Sequence, residues 1–170
     1  MSDTGLPEPW LRGTLHKVPA VQRAVVHALE LASEDLQRWC GSLSDEQVNA
    51  RPGGLPPVAF HLRHIARSLG RLLTYAEGRD LSEQQLAALK SEMDRGASRD
   101  ALFSELSSAL ADSVLRVQAF DVSAFEQIRV VGRRRLPTTV AGLLVHVADH
   151  TQRHVGQAVT TAKIVLAMPT

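Results

Sequence analysis

Four long stretches of this chain repeat apolar residues at the helical period, and almost none of it alternates at the period of two that a half-buried strand requires. The first runs from about Lys17 to Cys40, where Val21, Val25, Ala28, Leu29, Ala32, Leu36 and Trp39 form one stripe before Gly41. The second follows the breaker-rich ARPGGLPP, starts near Pro57 and continues to about Glu77, ahead of Gly78. Ser98 can cap the third, whose stripe is Leu102, Leu106, Ala109, Leu110, Val114, Val117 and Phe120. Pro137 and Thr138 open the fourth, with Thr138 or Thr139 as N-cap, and it can run past Ala162. Ala, Leu, Arg, Gln and Glu are abundant and β-branched runs are scarce, so the fold class is all-α.

The connections carry their own signals. Leu81 to Met93 reads as a short surface helix, with Ser82 as N-cap and Gln85 as its capping-box partner. The stretch from 80 to 100 is long enough to cross the helical assembly rather than make a tight hairpin. Ile128, Val130 and Val131 precede Gly132 and the run Arg133 to Arg135, which predicts a small hairpin around a solvated basic turn.

At 170 residues the chain fits one domain, 1–170, with core enough to fold without disulfides or a structural metal. Its 19 basic and 18 acidic residues nearly balance, so charge gives no reason to expect nucleic acid or an anionic membrane as partner. A single cysteine, Cys40, rules out an internal disulfide and any Cys-rich zinc site, and is expected to be a half-buried helix residue. MSDTGLPEPWLRG lacks a basic stretch followed by an apolar one, and no segment has the roughly 18 apolar residues of a membrane span; a soluble, cytoplasmic protein is the expectation.

Chemistry concentrates in HVADHTQRHVGQ, where His146, His150 and His154 follow one another at four-residue steps. Each step turns a helix by only about 40°, so the three imidazoles share a stripe and neighbours can hold one ion. The same spacing also occurs where a histidine caps a partner helix, and spacing alone leaves both readings open. Two imidazoles on one helix make a weak two-point site, and a third from a second helix makes it sound; His64 is the natural donor. His61 and His146 can be either partners of the ligands or plain core or rim residues. Ser68, Arg71 and Tyr75 share the side of the second helix that carries His64, Gln157 falls between His146 and His150 on the fourth, and Arg71, Tyr75 and Gln157 are candidates for substrate or ligand contact. His16 and His27 read as structural.

On two motifs, HLRHIARSLGRLLTYAEG at 61–78 and HVADHTQRHVGQ at 146–157, the chain resembles the DinB/YfiT-like family of metalloenzymes. The second motif is similar to that family's H-x3-H-x-G-Q signature, and the resemblance covers nearly the whole chain. It implies a four-helix bundle with crossover connections, homodimerisation in many members, and one divalent ion held by His64, His150 and His154; three imidazoles suit zinc, nickel, iron, cobalt or copper, with zinc or nickel foremost. Two departures bear on activity. Many members have arginine between the last histidine and the glycine, whereas here Arg153 precedes His154 and Val155 follows it. Relatives that act as mycothiol-dependent isomerases carry a carboxylate where this chain has His150, which points away from that branch, while related thiol S-transferases keep three histidines.

The expected function is therefore a metal-dependent enzyme in which three imidazoles leave positions open to activate water or a low-molecular-weight thiol, as a hydrolase or thiol transferase acting on a small electrophile. No carboxylate shares the histidine stripe, since Asp149 is rotated off it, so no separate general base is evident. The alternative is a non-enzymatic metal-binding module, in stress response or dimerisation, whose site a fourth protein ligand such as His61 or His146 would close.

Overall fold

Proline decides where two of the four long helices begin. In the computed structural model, which describes residues 5–168, helix α1 spans Ala20–Cys40 behind Pro19 and helix α3 spans Val58–Ala76 behind Pro57. Both prolines sit at the N-cap with ψ near 150–160°. A residue that precedes proline is driven out of the helical region, so Val18 cannot extend α1 back to Lys17. Between them lies a short helix, α2 (Asp45–Asn49), that the periodicity does not predict. Its signal was present all the same: Ser44 accepts from the Gln47 N–H while the Gln47 side chain accepts from the Ser44 N–H, a complete capping box.

α3 stops at Gly78, whose φ of +76° lets Arg79 N–H return to Thr74 O and Gly78 N–H to Tyr75 O. Helix α4 spans Glu83–Lys90, with Ser82 and Gln85 making both halves of the expected box. It is shorter than Leu81 to Met93, and the early stop matters for the site. Helix α5 spans Arg99–Gln118 with Ser98 accepting from Ala101 N–H, and helix α6 spans Val140–Ala167 with Thr139 accepting from Gly142 N–H. Strands β1 (Ile128–Val131) and β2 (Leu136–Thr139) form the antiparallel hairpin, Ile128 facing Thr139 and Val131 facing Leu136. Arg133, Arg134 and Arg135 are exposed at its turn.

The order of the long helices around the bundle follows from which side chains meet. Gln152 on α6 donates to Ala28 O of α1, and Lys163 lies 4.0 Å over the Trp39 ring, so α1 and α6 run parallel. Arg67 pairs with Glu105 and Glu77 with Arg116, so α3 and α5 are parallel as well. His61 meets His154 and His64 meets His150, which sets α3 antiparallel to α6. α1 and α3 each pack on both α5 and α6, and therefore stand on a diagonal. A parallel α3–α5 pair requires the chain to travel back along the whole bundle between them, and residues 77–98, with α4, make that crossover.

Leu29, Leu36, Leu62, Ile65, Leu69, Leu73, Leu102, Leu106 and Leu144 fill the centre with almost no exposure. Each contributes about 1.5–3 kcal/mol on burial. Cys40 belongs to this core: it is 0% exposed rather than half-buried, and burial pushes its thiol up to about 12, leaving it unreactive. Gln22 is the polar exception. Its Nε2 donates to Val117 O at 3.0 Å and Phe120 O at 2.9 Å, stopping the carbonyl end of α5 from inside the bundle. Among the described residues no helix is long and apolar enough to cross a membrane.

Candidate metal centre

The antiparallel contact of α3 with α6 brings the two histidine motifs face to face. His64, His150 and His154 each offer a ring nitrogen within 4.8 Å of the others, and His64 Nε2 lies 2.9 Å from His150 Nε2. Two nitrogens bound at about 2.1 Å to one ion with angles of 90–109° stand roughly 3.0–3.4 Å apart, so this spacing suits a shared ion. Phe60 stacks on His64 at 5.3 Å between ring centres and turns its ring edge on to His154 at 6.2 Å, giving the cluster an apolar wall.

Protonation favours the same use. Burial, and then the neighbouring imidazoles and Arg153, push His150 and His154 down to about 4, so both keep free lone pairs at neutral pH. His61 is also pushed to about 4, by burial first and then by His154 and His64. It is only 3% exposed, and its Nδ1 lies 3.1 Å from Nδ1 of His154. That contact engages Nδ1 of His154 and not its Nε2. His146 is different: its side chain is 44% exposed and its Nδ1 is 3.6 Å from Asp149, so it lies at the rim. Asp149 also pairs with Arg153 at 2.9 Å and is exposed, off the histidine stripe as its rotation on the helix predicts.

The residue that sequence reasoning missed is Glu92. α4 ends at Lys90 instead of continuing to Met93, and the turn that follows drives the Glu92 side chain inward until the residue is 4% exposed. One carboxylate oxygen meets His64 Nδ1 at 2.7 Å and the other meets Arg71 Nη1 at 2.7 Å. Burial alone would raise the Glu92 carboxyl, but the bonds from His64 and Arg71 outweigh it and hold it below the usual range. An ionised carboxylate can only accept, so Nδ1 of His64 donates to Glu92 and its Nε2 is the nitrogen that faces His150. A carboxylate behind a histidine in this way fixes the ring and raises its basicity toward a metal. No local pattern marks Glu92, which lies 28 residues from its partner.

Glu92 is held there by a row of arginines on α3. Arg63, Arg67 and Arg71 are spaced by four: Arg63 donates to Asp94 O, Arg67 to Ala88 O and Ser91 Oγ, and Arg71 to Glu92. The crossover is thus clamped along the helix that carries His61 and His64. Tyr75 shares the angular face of His64 but lies eleven residues on, about 16 Å along the axis, and lines a separate cavity with Arg129 of the hairpin. The hairpin itself docks on the far end of α3, where Arg129 donates to Ala76 O at 2.7 Å. It forms no wall of the histidine site.

A cavity of about 660 Å³ opens on the His61 and His154 side of the cluster, between the segment leading into α3 and the middle of α6; Leu55, Pro56, Phe60, Arg153 and Gln157 are among its lining. Gln157, one turn past His154, therefore sits beside the cluster as its spacing suggests.

Known proteins share this architecture. A conserved protein from Enterococcus faecalis superimposes with a TM-score of 0.73 at 18% identity, over 88% of this chain and 99% of that one. A DinB-like protein from Bacillus cereus ATCC 10987 gives 0.63 at 15%, over 82% and 89%. YfiT from Bacillus subtilis, described as a probable metal-dependent hydrolase with an unusual four-helix bundle topology, gives 0.62 at 16%, over 84% and 86%. A search of curated proteins finds no match. The DinB superfamily pattern matches residues 28–158, which take in both histidine motifs and the crossover that supplies Glu92; the chain belongs to the DinB superfamily.

Proposed function

We propose that this protein is a metal-dependent enzyme of hydrolytic or thiol-transfer type, with His64, His150 and His154 as the ligands of one divalent ion. The observation that carries the reading is the three-nitrogen cluster itself, gathered from two helices and set beside an open cavity. Three protein ligands with a further position left free is the pattern of catalytic zinc, whereas structural zinc is closed by four. Among the described residues no fourth histidine, cysteine or carboxylate joins the three. His61 is turned to Nδ1 of His154, and His146 to Asp149. A divalent ion in this position lowers the pKa of a water or thiol in contact with it and so supplies a nucleophile at neutral pH. Glu92 holds the His64 ring in the tautomer that faces the cluster, Arg71 holds Glu92, and Phe60 covers one side against water. His61 fixes the other nitrogen of His154. The description of YfiT as a probable hydrolase supports the hydrolytic form of this reading.

Metal content of protein purified without a histidine tag or chelator tests it, alongside a His64→Ala, His150→Ala, His154→Ala triple variant. About one ion per chain, absent from the variant, is the expected stoichiometry for a single three-ligand site. No ion after reconstitution with zinc or nickel would end the reading.

A further inference from the structure

The cavity beside the cluster has a composition that selects a ligand. At about 660 Å³ it falls within the range of small-molecule sites, roughly 300–1,000 Å³. One wall is apolar: Leu55, Pro56 and Phe60, with Leu55 42% exposed at the mouth. The facing wall is α6, and at its centre stands Gly156. A Cβ built there meets no atom within 4 Å, so the space above it is open, and no packing against the protein requires the glycine. Glycine inside a helix is disfavoured relative to alanine, yet here it leaves room for something to lie flat against the helix backbone.

The polar groups of this wall are few and placed together. Arg153 and Gln157 flank His154 one turn apart on α6. Arg153 gives one guanidinium nitrogen to Asp149, and its other donors have no partner among the described residues; the Gln157 amide has none there either. A guanidinium lining an apolar slot, with its side chain 55% exposed and donors beyond the one given to Asp149, matches a carboxylate.

We propose that this cavity binds a small carboxylate with an aromatic or branched aliphatic body: the body lies between Leu55, Pro56 and Phe60 over Gly156, and the anionic group meets Arg153 with Gln157. As a substrate site this rests on the metal-enzyme reading, because it would place the ligand against His154; as a binding site it stands without a metal. The probe is 4-phenylbutyrate, titrated by calorimetry and by NMR shifts into chelator-treated and zinc-loaded protein, with 4-phenyl-1-butanol as its neutral counterpart. The metal-free protein is expected to bind 4-phenylbutyrate. Gly156→Leu, which fills the slot at an exposed helical position, should weaken binding at least about tenfold. Arg153→Gln should weaken the carboxylate about tenfold and leave the alcohol unchanged, since only a charge-assisted bond is removed. Leu55→Ala at the opposite wall gives a second reading should Gly156→Leu lose helicity by circular dichroism. No binding to metal-free protein, or affinity untouched by these variants, overturns the proposal. Zinc uptake without 4-phenylbutyrate binding would sink this site and leave the metal centre; binding without zinc uptake would do the reverse.

Discussion

Glu92→Gln should separate two jobs that one carboxylate performs. Glu92 is 4% exposed and accepts two bonds of 2.7 Å, from His64 and from the buried Arg71. Gln keeps the shape and one carbonyl oxygen, so His64 retains an acceptor, but Arg71 loses its counter-charge. Leaving one member of a buried pair uncompensated costs about 3–5 kcal/mol, and the retained hydrogen bond brings the expectation to about 2–4 kcal/mol. With a urea slope of about 2 kcal/mol/M, the metal-free variant should unfold roughly 1–2 M earlier. Zinc affinity should fall separately, by about 10–100-fold, because a neutral amide supports the His64 ring less well than a carboxylate. The double variant Glu92→Gln, Arg71→Met removes the orphaned charge, and should recover most of the stability without recovering the affinity. Urea unfolding and competition with a chromophoric chelator read the two quantities. A single variant with wild-type zinc affinity would show that helix packing, not Glu92, orients His64; wild-type stability would refute the buried ion pair.

Three further outcomes follow from the structure. His61, His150 and His154 are pushed from 6.5 to about 4, by burial first, so below pH 6.5 the unfolded chain takes up protons that the folded one refuses. The metal-free protein should therefore lose stability as pH falls from about 6.5 to 4 and vary little above 7, and a His61→Gln, His150→Gln, His154→Gln variant should show a flatter profile in urea unfolding. An unchanged slope would contradict the neutral cluster. Gln22→Leu removes the donors at Val117 O and Phe120 O and should cost about 1–3 kcal/mol, seen as a lower Tm; an unaltered Tm would mean that those carbonyls find water. Leu69→Ala, at a position with 0% exposure, should cost about 2–5 kcal/mol with zinc stoichiometry intact, and a loss under 1 kcal/mol would indicate a core that collapses around the gap.

The helices were legible because their signals are local. Apolar spacing placed the four long ones, Ser82 with Gln85 and Ser98 marked two starts, and Gly78 marked an end; α2 was missed, because five residues are too short for a stripe, although Ser44 and Gln47 carry its capping box. The same locality made His150 and His154 a pair, since a four-residue step on one helix fixes their relation whatever surrounds them. What the sequence could not fix was everything set by helices meeting. A wheel projection has no axial coordinate, so Tyr75 shared a face with His64 but stands at the hairpin end, while Arg71 reaches the cluster only through Glu92. His61 and His146 looked alike as neighbours of the cluster histidines, and only the packing of α3 on α6 buried the first against His154 and left the second at the rim. Glu92 depended on where a surface helix stopped and on a crossover clamped by Arg63, Arg67 and Arg71, contacts between segments far apart in the chain. Periodicity along one helix is written in neighbouring residues; the meeting of two helices and a loop is decided by burial and by satisfying polar groups across the whole fold.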